Sequence, residues 1–178
     1  MKKLISSLSL AALFMVVSCN SAKEEGKSDV ALLPGWEVLD LAAPQTAYGM
    51  PYIINIPGSD ISKGVAHLAE SSAGGTQINA GQHFNMEILP GVGDMAAKKV
   101  EIANDGVFKI SYLVDEPNLI LYKAEIEGTD VAQFHFLTFV KVGNTNYEIS
   151  DIKDAEFSEE HVKMMVESAK TLREKPKA

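Results

Sequence analysis

From Gly35 to Ile152 apolar and polar residues alternate with period two, and after Phe157 the apolar spacing lengthens to that of a helix. A period of two places successive side chains on opposite faces of a strand. Ile78, Ala80, Phe84, Met86 and Ile88 share one parity against His83, Asn85 and Glu87. Phe108, Ile110, Tyr112 and Val114 do so against Lys109 and Ser111, and Ile120, Tyr122, Ala124 and Ile126 against Lys123, Glu125 and Glu127. These segments read as strands with one face buried. Val131 to Val142 is apolar on both faces, which predicts a central strand. Asp115-Glu116-Pro117-Asn118 and Gly143-Asn144-Thr145-Asn146 are turn sequences. Three successive hairpins in an antiparallel meander follow. Trp36–Leu41 and Tyr52–Ile56 read as earlier strands, punctuated by Pro44, Pro51 and Pro57.

The final segment reads as a helix. Ser158 suits an N-cap, and Glu159 and Glu160 favour the positive end of the helix dipole. Phe157 and Val162 have the spacing of a hydrophobic staple. Val162, Met165, Val166, Ala169 and Leu172 form one apolar stripe, with Lys170 and Arg173 toward its end and Pro176 beyond it. Met164 and Met165 read as fillers of a packed contact rather than as a ligand groove. A shorter helix fits Asp94–Ile102. A curved antiparallel sheet packed by these two helices defines an α+β class.

The chain has 178 residues, which suits one domain. Its formal charge of -8 makes a nucleic-acid backbone a poor partner. The single cysteine, Cys19, excludes an internal disulfide and a CxxC metal site. Four segments are expected: a leader over 1–18, a polar tether over 19–30, one α+β domain over 31–173, and a tail over 174–178.

The leader begins Met1-Lys2-Lys3 and continues as an apolar run from Leu4 to Val17. That run is ~14 residues, short of the ~20 that span a bilayer, and has the parts of a secretory signal peptide. Its end, Val16-Val17-Ser18-Cys19, resembles the lipobox of bacterial lipoproteins. The resemblance implies cleavage between Ser18 and Cys19, a thioether-linked lipid on the Cys19 sulfur, and acylation of the new N-terminus with a palmitate-type chain. Each buried CH₂ adds ~0.8 kcal/mol, so several chains form a lasting membrane anchor. Asn20, where lipoproteins kept in the inner membrane carry Asp, implies the outer membrane. Lys23-Glu24-Glu25 is similar to a short surface-export signal; a solvated linker explains the same three residues. The polar tether reaches ~18 Å by random-coil scaling. Removing Lys2 and Lys3 from 16 basic residues leaves 14 against 24 acidic ones, a net -10. Such a body is repelled by anionic lipid and suits a tethered domain.

Element order over about 35–173 resembles the Mog1p/PsbP-like family of α+β sandwiches. The residues that carry it are the early aromatic strand, Pro51-Tyr52-Ile53-Ile54-Asn55-Ile56-Pro57, Tyr147-Glu148-Ile149-Ser150, and the helix ending Ser168-Ala169-Lys170-Thr171-Leu172. The resemblance implies a non-enzymatic accessory factor that binds another protein. It carries over no functional residue.

Chemical motifs are sparse. Gly91-Val92-Gly93-Asp94-Met95-Ala96 fits G-x-G-x-x-A, with Asp115 downstream. Pro90 in the preceding turn, alternating strands and an antiparallel sheet argue instead for a glycine-rich turn into a helix, so no nucleotide is expected. His67, His83, His135 and His161 form no HxH or HExxH pair. His83, His135 and Glu87 would approximate a two-His, one-carboxylate site only on neighbouring strands; ordinary surface or hydrogen-bonded histidines are the preferred reading, and no metal is expected. There is no G-x-S-x-G elbow, and Ser71-Ser72-Ala73-Gly74-Gly75 reads as a flexible loop. No catalytic residue and no cofactor is therefore assigned. The sequence points to a lipid-anchored outer-membrane protein, facing the periplasm or the cell surface, that binds a protein partner without catalysis. The alternative is a small-molecule or metal-binding enzyme that uses the loop side of the sheet.

Overall fold

The computed structural model describes residues 30–42, 49–91, 93–104, 106–153 and 155–176. The leader, Ser18, Cys19 and the Lys23-Glu24-Glu25 segment lie outside the described residues. Among the described residues ten strands form two antiparallel sheets, accompanied by three helices, an α+β arrangement.

The smaller sheet contains β1 (Trp36–Asp40), β2 (Tyr52–Pro57) and β10 (Arg173–Glu174), with β2 in the middle. The larger one has seven strands in the order β3-β4-β5-β9-β8-β7-β6. These are β3 (His67–Glu70), β4 (Thr76–Asn79), β5 (Asn85–Pro90), β9 (Thr145–Asp151), β8 (Ala132–Val142), β7 (Leu119–Glu125) and β6 (Lys109–Glu116). The helices are α1 (Ser59–Ser62), α2 (Met95–Ala103) and α3 (Glu159–Ala169). The doubly apolar segment is β8, an interior strand, as its composition requires. The meander β6-β7-β8-β9 follows from consecutive pairing.

Several expectations need correction. The early strands do not extend one large sheet but form the smaller sheet with β10. Ile78 to Ile88 keeps its parity across a hairpin, since Ala80–Phe84 turns between β4 and β5. Gly81 holds that turn at φ +70, where its missing Cβ also avoids the backbone of Ser62 and Lys63. β7 is not half-buried, because Leu119 and Leu121 are buried on the face opposite Ile120, Tyr122 and Ala124. In β6 the register shifts between Tyr112 and Val114, so Val114 meets the first core while Ile110 and Tyr112 meet the second. A bulge adds one residue and reverses the alternation after it.

The main core lies on one face of the large sheet. Met86, Ile88, Phe136 and Ile149 meet Ile54 and Ile56 of β2 and Val162, Met165 and Ala169 of α3. Ser158 caps α3: its hydroxyl accepts from the His161 N–H, and its own N–H donates to His161 Nδ1. The helix ends at Ala169 rather than running to Leu172, although Leu172 is buried in the same core. A polar lock explains the stop. On the β10 side, pairing with β2 covers only Ile53 and Tyr52. The Asn55 N–H donates to the Thr171 hydroxyl at 2.8 Å, and the Ser168 hydroxyl donates to the Asn55 carbonyl at 2.6 Å. Arg173 donates to the Asn55 side-chain oxygen at 3.0 Å. All of Asn55, Ser168 and Thr171 are buried, so these bonds satisfy backbone groups that water does not reach. Arg173 thus leaves the helix for β10, and Glu174, expected in the tail, pairs with Tyr52. Near this lock Tyr147 donates to the Tyr52 hydroxyl; burial first, and that hydrogen bond second, push the Tyr147 hydroxyl up to about 12.

Candidate functional site: a groove beneath helix α2

The second face of the large sheet is only partly covered. Ile120, Tyr122, Ala124 and Leu137, from β7 and β8, form its apolar part, and α2 lies over them. A helix of nine residues spans about 13 Å. It reaches across the apolar patch, and beyond it the polar side chains of β4, β5 and β9, among them Gln77, Glu87 and Ser150, are only partly covered. Asp94 begins α2 by accepting from the Ala96 N–H at 2.9 Å. Met95 is the buried anchor and Ile102 the partly buried one. Lys98 reaches Glu148 of β9 at 2.8 Å, and Lys99 pairs with Asp115 of β6 and lies over the Tyr112 ring at 5.5 Å.

Two adjoining hollows open between α2 and this face, of about 330 and 260 Å³. They share Glu101, Ile102, Tyr122 and Lys153, and so form one groove. The larger end is bordered by Gln77, Glu87, Glu148 and Ser150. There the Ser71 hydroxyl donates to the Glu87 carboxylate. The smaller end is lined by Phe108, Ile110, Ala124, Gln133 and His135.

His135 and Asp151 form the groove's most constrained polar pair. Their side chains are 8% and 2% exposed, and His135 Nδ1 lies 2.7 Å from Asp151 Oδ2. The other carboxylate oxygen accepts from the Phe136 N–H at 2.7 Å. With both carboxylate oxygens acting as acceptors, Asp151 accepts the hydrogen bond of the His135 Nδ1–H, and in the neutral imidazole Nε2 is then an acceptor. The Tyr122 ring stands 5.3 Å from the imidazole. The pair belongs to adjacent strands, β8 and β9, with Phe136 opposite the end of β9. A lone histidine between Phe134 and Phe136, in a strand apolar on both faces, is the signal that could have found it. Such a buried imidazole requires a partner, and the nearest acidic candidate ends the next strand.

The other sequence candidates are not brought together. His83 precedes β5 and stacks on His161 of α3, with ring centroids 4.0 Å apart and 19° between planes. Burial, then the neighbouring His83, holds His161 below the usual histidine range, while Glu160 acts in the opposite direction. His83, His135 and Glu87 therefore share no site, and His67 is on edge strand β3. Among the described residues no group of three or more His, Cys, Asp or Glu side chains is arranged to hold a metal.

The glycine motif has a packing explanation. A Cβ on Gly93 would overlap the Phe139 ring, whereas one on Gly91 would meet nothing within 4 Å. Asp94 already caps α2, and Asp115 is paired with Lys99. Asp94, Asp115 and Glu116 border the hollow beside this turn, with Lys99 as the opposing cation. Three carboxylates there oppose a phosphate, and the antiparallel sheet lacks the nucleotide-binding crossover.

No known family model, curated protein or solved structure matches the chain. Among the described residues no helix is long and apolar enough to cross a membrane.

Proposed function

We propose that the chain is a bacterial outer-membrane lipoprotein, cleaved after Ser18 and lipidated on Cys19, whose Mog1p/PsbP-like domain serves as an accessory module that binds a protein partner. Lys23-Glu24-Glu25 then acts as a surface-export signal, and the tether holds the domain near the membrane. The observation that carries the binding reading is the groove beneath α2. It combines apolar walls with polar rims, a composition suited to recognition. The helix above it is held by two apolar anchors and partly exposed ion pairs. Contacts of that kind are weak, the pairs adding about 0–1 kcal/mol each. The His135–Asp151 pair favours the second reading, a small-molecule enzyme, and moves its site from the loop side to the sheet face.

A photo-crosslinking residue placed in the full chain in cells tests the first reading. Glu101 is at the groove rim, with its side chain 65% exposed. Glu167 is on α3, with its side chain 54% exposed. A discrete protein adduct is expected from position 101 and none from 167. Adducts from 167 alone, or from neither position, overturn the groove as the partner surface.

A further inference from the structure

We propose that the smaller hollow of the groove is a site for a phenol, whose hydroxyl donates to His135 Nε2. The inference rests on the reading of the groove as a binding surface and names the chemistry it reads.

Asp151 holds the imidazole by Nδ1, so in the neutral ring Nε2 is the acceptor left for a ligand. His135 is only 7% exposed, and among the described residues its Nε2 makes no hydrogen bond. A buried acceptor without a donor loses the full hydration of that group, and a ligand donor recovers it. Because Asp151 is itself anchored by the Phe136 N–H, the imidazole is fixed before any ligand arrives. His135 lines the hollow in this fixed orientation, so a ligand meets it at no cost of reordering.

The walls select an aromatic body. Phe108, Tyr122 and the imidazole offer ring faces and edges, with Ile102, Ile110 and Ala124 between them. Aromatic pairs favour such edge and offset contacts. Tyr122 is itself braced edge-on by Tyr112, with centroids 6.2 Å apart. The rim supplies donors. Gln133 and Lys153 line the same hollow, and among the described residues neither makes a side-chain hydrogen bond or ion pair. A phenol hydroxyl both donates and accepts, so one group can satisfy His135 and one of these two. An indole N–H only donates. An anionic ring would face Glu101 and the Asp151 carboxylate, so a neutral hydroxyl fits the local charge better. The phenol can be free or the side chain of a partner's tyrosine.

Nuclear magnetic resonance on the isotope-labelled full chain distinguishes these cases. The probes are 4-ethylphenol, 4-ethylanisole, in which a methyl group masks the donor, and N-acetyltyrosinamide. 4-Ethylphenol is expected to shift the His135 Nε2 resonance and the amides of Ile102, Ala124 and Gln133 saturably. 4-Ethylanisole should bind about tenfold more weakly, the factor expected for leaving one buried acceptor unpaired. His135→Gln should bring the two probes to equal affinity. If that variant misfolds, the probe pair on the unaltered chain decides alone. Tighter binding of N-acetyltyrosinamide identifies a peptide tyrosine as the source, and weaker binding a free phenol. Equal binding of phenol and anisole overturns the inference while leaving the groove as a binding surface. Absence of any shift in the groove, with Nε2 responding to water only, overturns it as well. The crosslinking result at position 101 then judges the partner reading separately.

Discussion

Met165→Ala is expected to remove about 2–5 kcal/mol of stability, from a total that for domains of this size is commonly ~5–15 kcal/mol. Met165 is fully buried where α3 meets the large sheet and β2. Its truncation leaves a cavity on three elements at once, and α3 is too short to persist in water without that contact. Leu172→Ala should act in the same direction, since Leu172 is buried in the same core although it lies beyond the helix. Lys163→Ala removes an exposed pair with Glu159 and should cost no more than about 0.5 kcal/mol. Thermal unfolding of the three variants, followed by circular dichroism, checks the ordering. Equal melting temperatures would contradict the docking of α3.

Gly93→Val is expected to be the second most damaging change. Its side chain would occupy the space of the Phe139 ring, and Phe139 packs on the second core. Either the ring leaves that core or α2 lifts from the sheet. Overpacking of this kind typically costs ~1–3 kcal/mol. The disturbance should concentrate in amides of α2 and the groove and spare the first core, which lies on the other face. Gly91→Ala, in open space, should leave the melting temperature unchanged. The pair also discriminates between roles for the motif. A phosphate-binding turn would make both glycines matter to ligand binding, whereas a packing turn makes only Gly93 matter to stability.

Much of this architecture was legible because alternation reports burial directly. Phe84, Met86 and Ile88 share a parity and are fully buried, and Ser158 caps α3 as its position before Glu159 and Glu160 suggested. The split into two sheets was not legible. The smaller sheet is a β1–β2 pair completed by β10, two residues at the end of the apolar helical stripe that pair with Tyr52 and Ile53 far away in sequence. What draws Arg173 out of the helix is a buried backbone at Asn55, satisfied by Ser168 and Thr171. Such a demand becomes visible only once strands are paired. The bulge in β6 was hidden for the same reason, since Val114 keeps the parity of Ile110 and Tyr112 in the sequence. The groove was illegible because it is defined by where a short helix stops covering a sheet. Its dyad left one trace, a histidine in a strand with no polar face, and that trace names no partner without the β8–β9 register.

The anchor is the claim on which the rest of the functional account depends, and Cys19→Ser measures it most directly. The sulfur is required for the thioether, and a serine oxygen does not replace it. In cells expressing the full chain, the unaltered protein should fractionate with outer membranes. Its mass should exceed that of residues 19–178 by the added lipid. The Cys19→Ser protein should keep its leader and never reach the processed mass. A Cys19→Ser chain that still fractionates with membranes at the mature mass would contradict lipid anchoring at this position.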